Sequence, residues 1–385
     1  MSIETKLINQ GGFGCVFYPA VECDGSINKS TKYASKLLKK DSRTTHEYNI
    51  GKLVKKIDLY EYYYAPVINM CSIDLSKIDK RERDMCRIIK KNKFGDDSDF
   101  VVMKIPFIKN IDIATFLTRP SVDKREILTY ILDSYTFLLN NLRILNVNGI
   151  VHYDFKVPNI LIEEKTKTPI IIDFGLSIPV SDMIPEKYET YFYSYSPSYY
   201  IWPIDVHVIC YLVNVSHTLT PDALEQLISE YLKTNTAMKL FSDKFVDKFK
   251  DMALRVYRKY VGIPKANVIK ELIKNCNTWD SYALSVMFLN MIGFMSGDGY
   301  TDNKLLIEFS KLLLMNFHPD GSKRLSFEET NKRYNELFSA NETIGGYKKL
   351  LFNFNDKKFH DKTIKETKQQ EKLTPVAMKN RNKNK

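Results

Sequence analysis

Two short polar segments, about a dozen residues apart, constrain this chain more than any other feature of its sequence. The first is His152-Tyr153-Asp154-Phe155-Lys156-Val157-Pro158-Asn159, and the second is Ile171-Ile172-Asp173-Phe174-Gly175. Each lies beside a β-branched run that predicts a small buried strand. Two carboxylates and one amide in such loops can converge on a single phosphoryl group and its metal ions. This combination is hard to obtain by chance.

The residue types in these segments suit phosphoryl chemistry. Magnesium prefers hard oxygen ligands, which Asp173 and Asn159 supply, while Asp154 stays available to accept a hydroxyl proton. Lys156, two residues after Asp154, can stabilise charge on a transferred phosphoryl group. Each residue taken alone is more often an ordinary loop residue, so the prediction depends on their combination.

A glycine-rich segment lies near the N-terminus, between two predicted strands: Asn9-Gln10-Gly11-Gly12-Phe13-Gly14-Cys15-Val16. Glycines let backbone amides approach phosphate oxygens without obstruction by a Cβ atom. A structural turn explains the same segment equally well. A dinucleotide-binding motif is disfavoured, because a strand rather than a helix follows.

The strand Tyr33-Ala34-Ser35-Lys36 carries a single lysine. In a nucleotide site Lys36 would neutralise the α- and β-phosphates, and it would need a carboxylate to hold it in place. Glu47, on the next predicted helix, is the candidate partner. Thr44-x-x-Glu47 also fits a helix capping box, so both interpretations of Glu47 stay open. Val16 and Ala34 suit the covering of a flat adenine ring.

Together these segments resemble the signatures of eukaryotic-type protein kinases: the glycine-rich loop, the V-A-I-K strand, the H-R-D-L-x-x-x-N loop and D-F-G. The resemblance covers roughly residues 7–180 and resumes at Trp279-Asp280-Ser281-Tyr282 and His318-Pro319. It implies an α+β fold with a small β-rich N-lobe over about 1–105 and a larger helical C-lobe over about 106–340. An insertion at about 200–275 and a basic, disordered tail over 341–385 are expected.

The resemblance also implies roles for individual residues. Asp154 would be the catalytic base, assisted by Lys156 and Lys36, and Asn159 and Asp173 would bind Mg²⁺, with Mn²⁺ as an alternative metal. The remaining ATP-binding residues would be Asn9, Gly11, Gly12, Gly14, Val16, Ala34, Glu47, Met103, Lys104, Ile105 and Leu161. Asp280 would accept backbone N–H bonds from the catalytic loop.

Several positions depart from the family pattern. Tyr153 replaces the arginine that reads an activation-loop phosphate, which suggests an enzyme that is not switched in that way. Gly51 stands where a large apolar helix residue is usual. Ser196-Pro197-Ser198 matches A-P-E only loosely and lacks the glutamate that would pair with Arg324. The aromatic run from Tyr188 to Trp202 is either a packed loop or a recognition surface.

Composition adds limits on partners and location. Residues 355–385 contain ten Lys and Arg and four Asp and Glu, a net +6 of the chain's +11, which suits an acidic partner or nucleic acid. The six scattered cysteines predict reduced thiols, and no membrane span or secretory signal is visible, which predicts a cytoplasmic protein. Richness in Ile, Asn, Lys and Tyr resembles kinases of large cytoplasmic DNA viruses, acting in the host cytoplasm or the virion.

The sequence therefore predicts ATP- and magnesium-dependent phosphorylation of serine and threonine in protein substrates. Two alternatives stay open. One is a pseudokinase, which keeps the fold as a binding module without turnover. The other is a small-molecule kinase of related fold, although Lys156 and the full D-F-G favour a protein substrate.

Overall fold

A computed structural model of the protein describes residues 5–10, 14–28, 30–91, 100–111, 123–295, 303–339, 341–353 and 356–375. The chain divides into two compact units. The first unit comprises Met1–Ile111 and Ile160–Ser177, and the second comprises Asp112–Asn159 and Ile178–Lys385. Sheets dominate the first unit and helices the second, so the predicted α+β fold class is confirmed.

The first unit contains a five-stranded antiparallel sheet with the strand order β1-β2-β3-β6-β5. Its strands are β1 (Lys6–Gln10), β2 (Gly14–Tyr18), β3 (Tyr33–Lys39), β5 (Asn69–Ser72) and β6 (Phe100–Pro106). Successive side chains of a strand point to opposite faces of the sheet. One face, with Phe17, Leu37 and Val102, packs on a core completed by Ile73 and Leu75.

Two disulfide bonds fasten this sheet to its neighbouring segments: Cys15–Cys86 and Cys23–Cys71. The fold brings the paired Cα atoms to 6.0 and 5.7 Å, within the range that a disulfide spans. This corrects the expectation of six reduced thiols, because scattered sequence positions do not reveal which cysteines the fold places together. Cys210 and Cys276 are buried free thiols.

Helix α1 (Ser42–Val54) begins directly after β3. Asp41 caps it, accepting a hydrogen bond from the backbone N–H of Thr44, whose hydroxyl returns a bond to the Asp41 N–H in a capping box. A Cβ atom at Gly51 would lie 2.4 Å from the carbonyl oxygen of Val67. The helix therefore needs glycine at this position, because the backbone near Val67 passes too close for a side chain.

A second, four-stranded sheet in the first unit has the order β4-β10-β9-β7. Its strands are β4 (Tyr64–Ala65), β7 (Asn110–Ile111), β9 (Ile160–Glu163) and β10 (Pro169–Ile172). Strand β10 pairs in parallel with β4 and antiparallel with β9. The unit also contains two short helices, α2 (Lys80–Met85) and α3 (Arg87–Lys91).

The second unit is helical apart from a two-stranded sheet of β8 (Ile150–Val151) and β11 (Ile178–Pro179). Its helices are α4 (Lys124–Val147), α5 (Tyr188–Tyr191), α6 (Ile204–Asn214), α7 (Pro221–Thr234), α8 (Asp243–Arg258), α9 (Lys265–Leu272), α10 (Trp279–Met295), α11 (Lys304–Asn316), α12 (Phe327–Leu337), α13 (Asn341–Asn353) and α14 (Asp356–Lys372). Helix α10 is buried on almost every face, as expected for a helix that is hydrophobic all round. It forms the centre of this unit.

The C-terminal helices correct the expectation of a disordered tail from residue 341. Helices α13 and α14 occupy most of 341–372, and Leu350 and Phe359 are buried in them. Lysine-rich composition suggested disorder, but apolar and small polar residues spaced three and four apart give each helix a face that packs. Residues 376–385 lie outside the described part of the chain. No described helix is both long and apolar enough to cross a membrane.

Candidate active site

The predicted ATP-binding residues of β2, β3 and β6 share one face of the five-stranded sheet. Val16 and Met103 both lie opposite Lys36, and Ala34 lies opposite Ile105. Side chains directly opposite one another project from the same face. Lys104 is the exception, because it lies one residue out of phase, and its ammonium group pairs with Glu22 at 2.8 Å.

The glycine-rich segment is described only in part. Asn9 lies opposite Val16 and therefore belongs to the same face as Lys36. A Cβ atom at Gly14 would lie 2.8 Å from the carbonyl oxygen of Leu37, so this glycine is needed for the close approach of β2 and β3. Gly11 and Gly12 lie outside the described residues.

Lys36, Glu47 and Asp173 meet in the first unit. The Nζ atom of Lys36 lies 2.9 Å from Oε1 of Glu47 and 3.6 Å from Oδ1 of Asp173. Burial lowers the pKa of Lys36, but the two carboxylates raise it by more, so its pKa is raised overall. Burial raises the pKa of Glu47 against the opposing effect of Lys36. Lys36 is therefore a fixed positive charge beside two carboxyl groups.

Glu47 contacts Lys36 and takes no part in the capping box of α1. The capping box of α1 uses Asp41 and Thr44, and Glu47 lies almost one turn further along the helix. Because only two residues separate the end of β3 from the start of α1, Glu47 reaches Lys36 despite their short sequence separation.

Asp173 has a left-handed backbone conformation, with φ of 61°. Such a conformation is costly for a residue other than glycine and is found disproportionately at functional sites. Its side chain is 44% exposed, so its carboxylate is open to a ligand from solvent. Leu161, the predicted floor under adenine, lies half-buried on β9, opposite Ile170 of β10.

Asp154, Lys156 and Asn159 meet in the second unit. The Nζ atom of Lys156 lies 3.0 Å from Oδ1 of Asp154, and Nδ2 of Asn159 donates to Oδ2 of Asp154 at 3.0 Å. Asn159 also donates through Nδ2 to the Asp154 carbonyl, so neither bond uses its amide oxygen. The hydroxyl of Tyr199 donates a short hydrogen bond to Oδ1 of Asp154.

Asp280 fixes the backbone that precedes Asp154. Its two carboxylate oxygens accept the backbone N–H groups of His152 at 2.7 Å and Tyr153 at 2.9 Å. Burial raises the pKa of Asp280, and the two backbone donors oppose that shift. Tyr153 is held with φ of 67°, a second left-handed residue directly before the predicted base. The contact implied by the family resemblance is therefore present.

Tyr153 lies in an aromatic cluster. Its ring stacks on Trp202 with centroids 4.6 Å apart, and Phe192 and Trp279 complete the surroundings. The indole N–H of Trp202 donates to the Tyr153 carbonyl at 2.7 Å. Much of the aromatic run from Tyr188 to Trp202 is thus packed core, which favours the packed-loop interpretation.

Sequence reasoning missed the partner of Arg324. Its guanidinium group forms a two-pronged ion pair with Asp205, at 2.8 and 3.2 Å, and both side chains are completely buried. Asp205 also accepts the indole N–H of Trp279 at 2.9 Å. Asp205 therefore pairs with Arg324 in place of the glutamate that Ser196-Pro197-Ser198 lacks. The sequence indicated this partner only through Trp202-Pro203-Ile204-Asp205, in which a proline lies two residues before an acidic residue.

Comparisons with known proteins indicate similarity to protein kinases. No protein-family model matches the chain. Calcium-dependent protein kinase 4 of Plasmodium berghei and that of Plasmodium falciparum are each 26% identical to it over 346 residues. This similarity supports a relationship to the eukaryotic protein kinases. It covers 82% of this chain but only 62% of each relative, so the chain spans less than two thirds of their length. Resemblance to viral kinases stays a prediction.

Proposed function

We propose that the protein is a protein kinase that transfers the γ-phosphate of ATP to serine and threonine hydroxyls of other proteins. The observation that carries this proposal is the group of Lys36, Glu47 and Asp173. A protein kinase needs its strand lysine paired with a helix glutamate and its metal-binding aspartate in place. The similarity to calcium-dependent protein kinase 4 supports the same class of activity.

In this proposal the first unit binds the nucleotide. Lys36, fixed by Glu47, neutralises the α- and β-phosphates, and the apolar face with Val16, Ala34 and Met103 covers the adenine ring. Leu161 supplies apolar surface from β9. Asn9 and the glycines that follow it cover the phosphates with backbone amides.

The donor groups fit a magnesium ion. The exposed carboxylate of Asp173 and the amide oxygen of Asn159 are hard oxygen ligands, which Mg²⁺ and Mn²⁺ prefer. The described residues hold no cluster of three or more His, Cys, Asp and Glu, so phosphate oxygens and water would complete the coordination. A metal bound there would neutralise charge on the transferred phosphoryl group.

The second unit supplies the base. Asp154 accepts the proton of the attacking hydroxyl, because Asp280 fixes the backbone before it and Asn159 orients its carboxylate. Lys156 stabilises negative charge on the phosphoryl group as the new bond forms. A lysine two residues after the base is a feature that this chain shares with serine and threonine kinases. Phosphoamino-acid analysis of the product should therefore yield phosphoserine or phosphothreonine. Mainly phosphotyrosine would contradict this substrate class.

The proposal extends to partners and location. The lysines of α14 and the basic residues after 375 suit an acidic partner or nucleic acid, in addition to the protein substrate. A cytoplasmic location, in a host cell or virion if the protein is viral, stays part of the proposal. The two disulfides weigh against it, since such bonds are rare in reducing compartments.

The test is transfer of labelled phosphate from ATP with magnesium to a generic basic protein. Lys36→Met should lower kcat/KM by at least about 100-fold, roughly 2.7 kcal/mol of transition-state stabilisation. Lys40→Met, an exposed lysine just after the same strand, is the matched control and should behave as wild type. Equal background transfer by wild type and Lys36→Met would favour the pseudokinase, and transfer to small molecules alone would favour the small-molecule kinase.

A further inference from the structure

The C-terminal helix α14 packs into the second unit through one face. Phe359, Thr363, Glu366 and Gln370 are buried, at spacings of three and four residues. All the exposed positions of the same helix carry charged or polar residues, and four of them are lysines. This pattern gives α14 a defined docking orientation.

Glu366 fixes the position of the helix along its axis. One of its carboxylate oxygens accepts hydrogen bonds from Tyr200 at 2.7 Å, Thr236 at 3.0 Å, Asn290 at 3.1 Å and Gln370 at 3.1 Å. All four donors are uncharged, and three of them come from other elements of the unit. A shift of the helix by one turn would break the three bonds from Tyr200, Thr236 and Asn290 and leave a buried carboxylate without these donors.

The end of the helix reaches the catalytic loop. The side-chain oxygen of Gln370 accepts the backbone N–H of Val157 at 2.9 Å, and the carbonyl oxygen of Leu373 accepts from Nζ of Lys156 at 3.1 Å. These two loop residues directly precede Pro158 and Asn159 of the predicted site.

The Leu373 contact completes the hydrogen bonding of Lys156. An ammonium group has three donors, and Lys156 lies within reach of three acceptors: Asp154 at 3.0 Å, Tyr199 at 3.3 Å and Leu373 at 3.1 Å. Its side chain is only 7% exposed. A phosphoryl group or an acceptor chain can therefore bind Lys156 only by displacing one of these partners. Leu373 is the one that lies at the end of a separate helix.

We propose that residues 370–373 occupy the surface on which the acceptor polypeptide binds, so that the chain inhibits itself until the end of α14 detaches. This inference rests on the proposed kinase function. An acceptor hydroxyl placed beside Asp154 would also lie next to Lys156, whose ammonium group Leu373 engages, while Gln370 holds the neighbouring Val157 amide. The buried part of the helix, from Phe359 to Glu366, stays docked while its last turn exchanges with substrate.

The test uses full-length Gln370→Ala, with Gln369→Ala, the exposed neighbour, as matched control. Loss of the two side-chain hydrogen bonds of Gln370, to Val157 and to Glu366, should lower the KM for an acceptor peptide at least about fivefold, leave kcat unchanged and speed amide hydrogen exchange in residues 366–375. Gln369→Ala should match wild type in all three measurements. Leu373→Pro, which removes the Leu373 N–H bond to the Gln370 carbonyl, is a second, independent way to free the segment and should shift KM in the same direction.

An unchanged or raised KM, or a lowered kcat, in both folded variants would overturn the inference, because α14 would then be a support for the loop. This failure is distinct from failure of the proposed function. If neither wild type nor any variant transfers phosphate, the kinase proposal is at fault. Transfer with wild-type KM in the variants contradicts only the inhibitory role.

Discussion

Asp205 and Asp280 are two buried aspartates whose replacement should have different consequences. Asp280 accepts hydrogen bonds from two backbone N–H groups next to Asp154. Asp205 instead neutralises Arg324, and neither residue is close to Asp154 in sequence. We therefore predict that Asp280→Asn mainly lowers activity and that Asp205→Asn mainly lowers stability. The completely buried ion pair of Asp205 with Arg324 is the reason that we expect the larger loss of stability for Asp205→Asn.

The magnitudes follow from the lost contacts. Asp205→Asn leaves a completely buried guanidinium group without its countercharge, which costs about 3–5 kcal/mol. Asp280→Asn keeps one acceptor and places an amide N–H₂ against one backbone donor, at a cost of about 1–3 kcal/mol. The loop would then shift, and a displacement of about 1 Å can reduce kcat by about 100-fold.

Urea unfolding measures the first effect, and kcat for an acceptor peptide, at a temperature where both variants are folded, measures the second. We expect Asp205→Asn to lose at least about 3 kcal/mol in free energy of unfolding, with kcat within about threefold of wild type. We expect Asp280→Asn to lose at least tenfold in kcat, roughly 1.4 kcal/mol. A larger loss of kcat in Asp205→Asn, or a wild-type stability for that variant, would refute the assigned roles.

Three further predictions follow from other contacts. Because Tyr153 is packed among aromatic rings and offers no positive charge to a loop phosphate, thorough phosphatase treatment should leave activity within about tenfold; a greater loss would mean that another basic residue reads a phosphate. Removing the Cys15–Cys86 bond, which closes a long loop with a sequence separation of 71, should destabilise the first unit by about 4 kcal/mol. Unfolding curves of Cys15→Ser/Cys86→Ser that coincide with those of wild type would contradict this. Burial lowers the pKa of His207 from 6.5 to about 3, so as the pH falls below 6.5 the unfolded chain takes up a proton that the folded chain does not. Between pH 7 and 5 the free energy of unfolding should therefore fall by about 2 kcal/mol more in wild type than in His207→Leu. Equal losses in the two proteins would refute the lowered pKa of His207.

Local sequence carried most of the information about the site. Asp154 and Asn159 lie in one short loop between two strands, so their spacing along the chain brings their side chains together. The pairing of Lys36 with Glu47 was predictable for the same reason, since one strand and the next helix supply both residues. Gly51 departed from the family pattern without a visible cause in the sequence. The cause is the close approach of the Val67 backbone, which belongs to another segment.

Contacts between distant segments could not be predicted from local sequence, and the contact of Asp280 with His152 and Tyr153 was expected only from the family resemblance. Asp205 and Arg324 are 119 residues apart, and the local sequence around either residue does not indicate its partner. The disulfide partners are likewise separated by 71 and 48 residues. Helix α14 was misjudged because its lysine-rich composition concealed a buried face with Phe359 and Glu366. Pattern and propensity are local quantities, whereas these pairings depend on the tertiary fold.

The central claim is that the chain transfers phosphate with Asp173 as a metal ligand. The most direct measurement is transfer from ATP with magnesium to an acceptor protein by wild type, Asp173→Asn and Asp251→Asn, the last being an exposed aspartate on α8 that serves as the matched control. We predict that Asp173→Asn falls to background while Asp251→Asn retains wild-type transfer, because Asp173 supplies the exposed carboxylate beside Lys36 and Asp251 lies on the surface of α8. Transfer by Asp173→Asn at the wild-type rate, with all three proteins folded, would contradict the account.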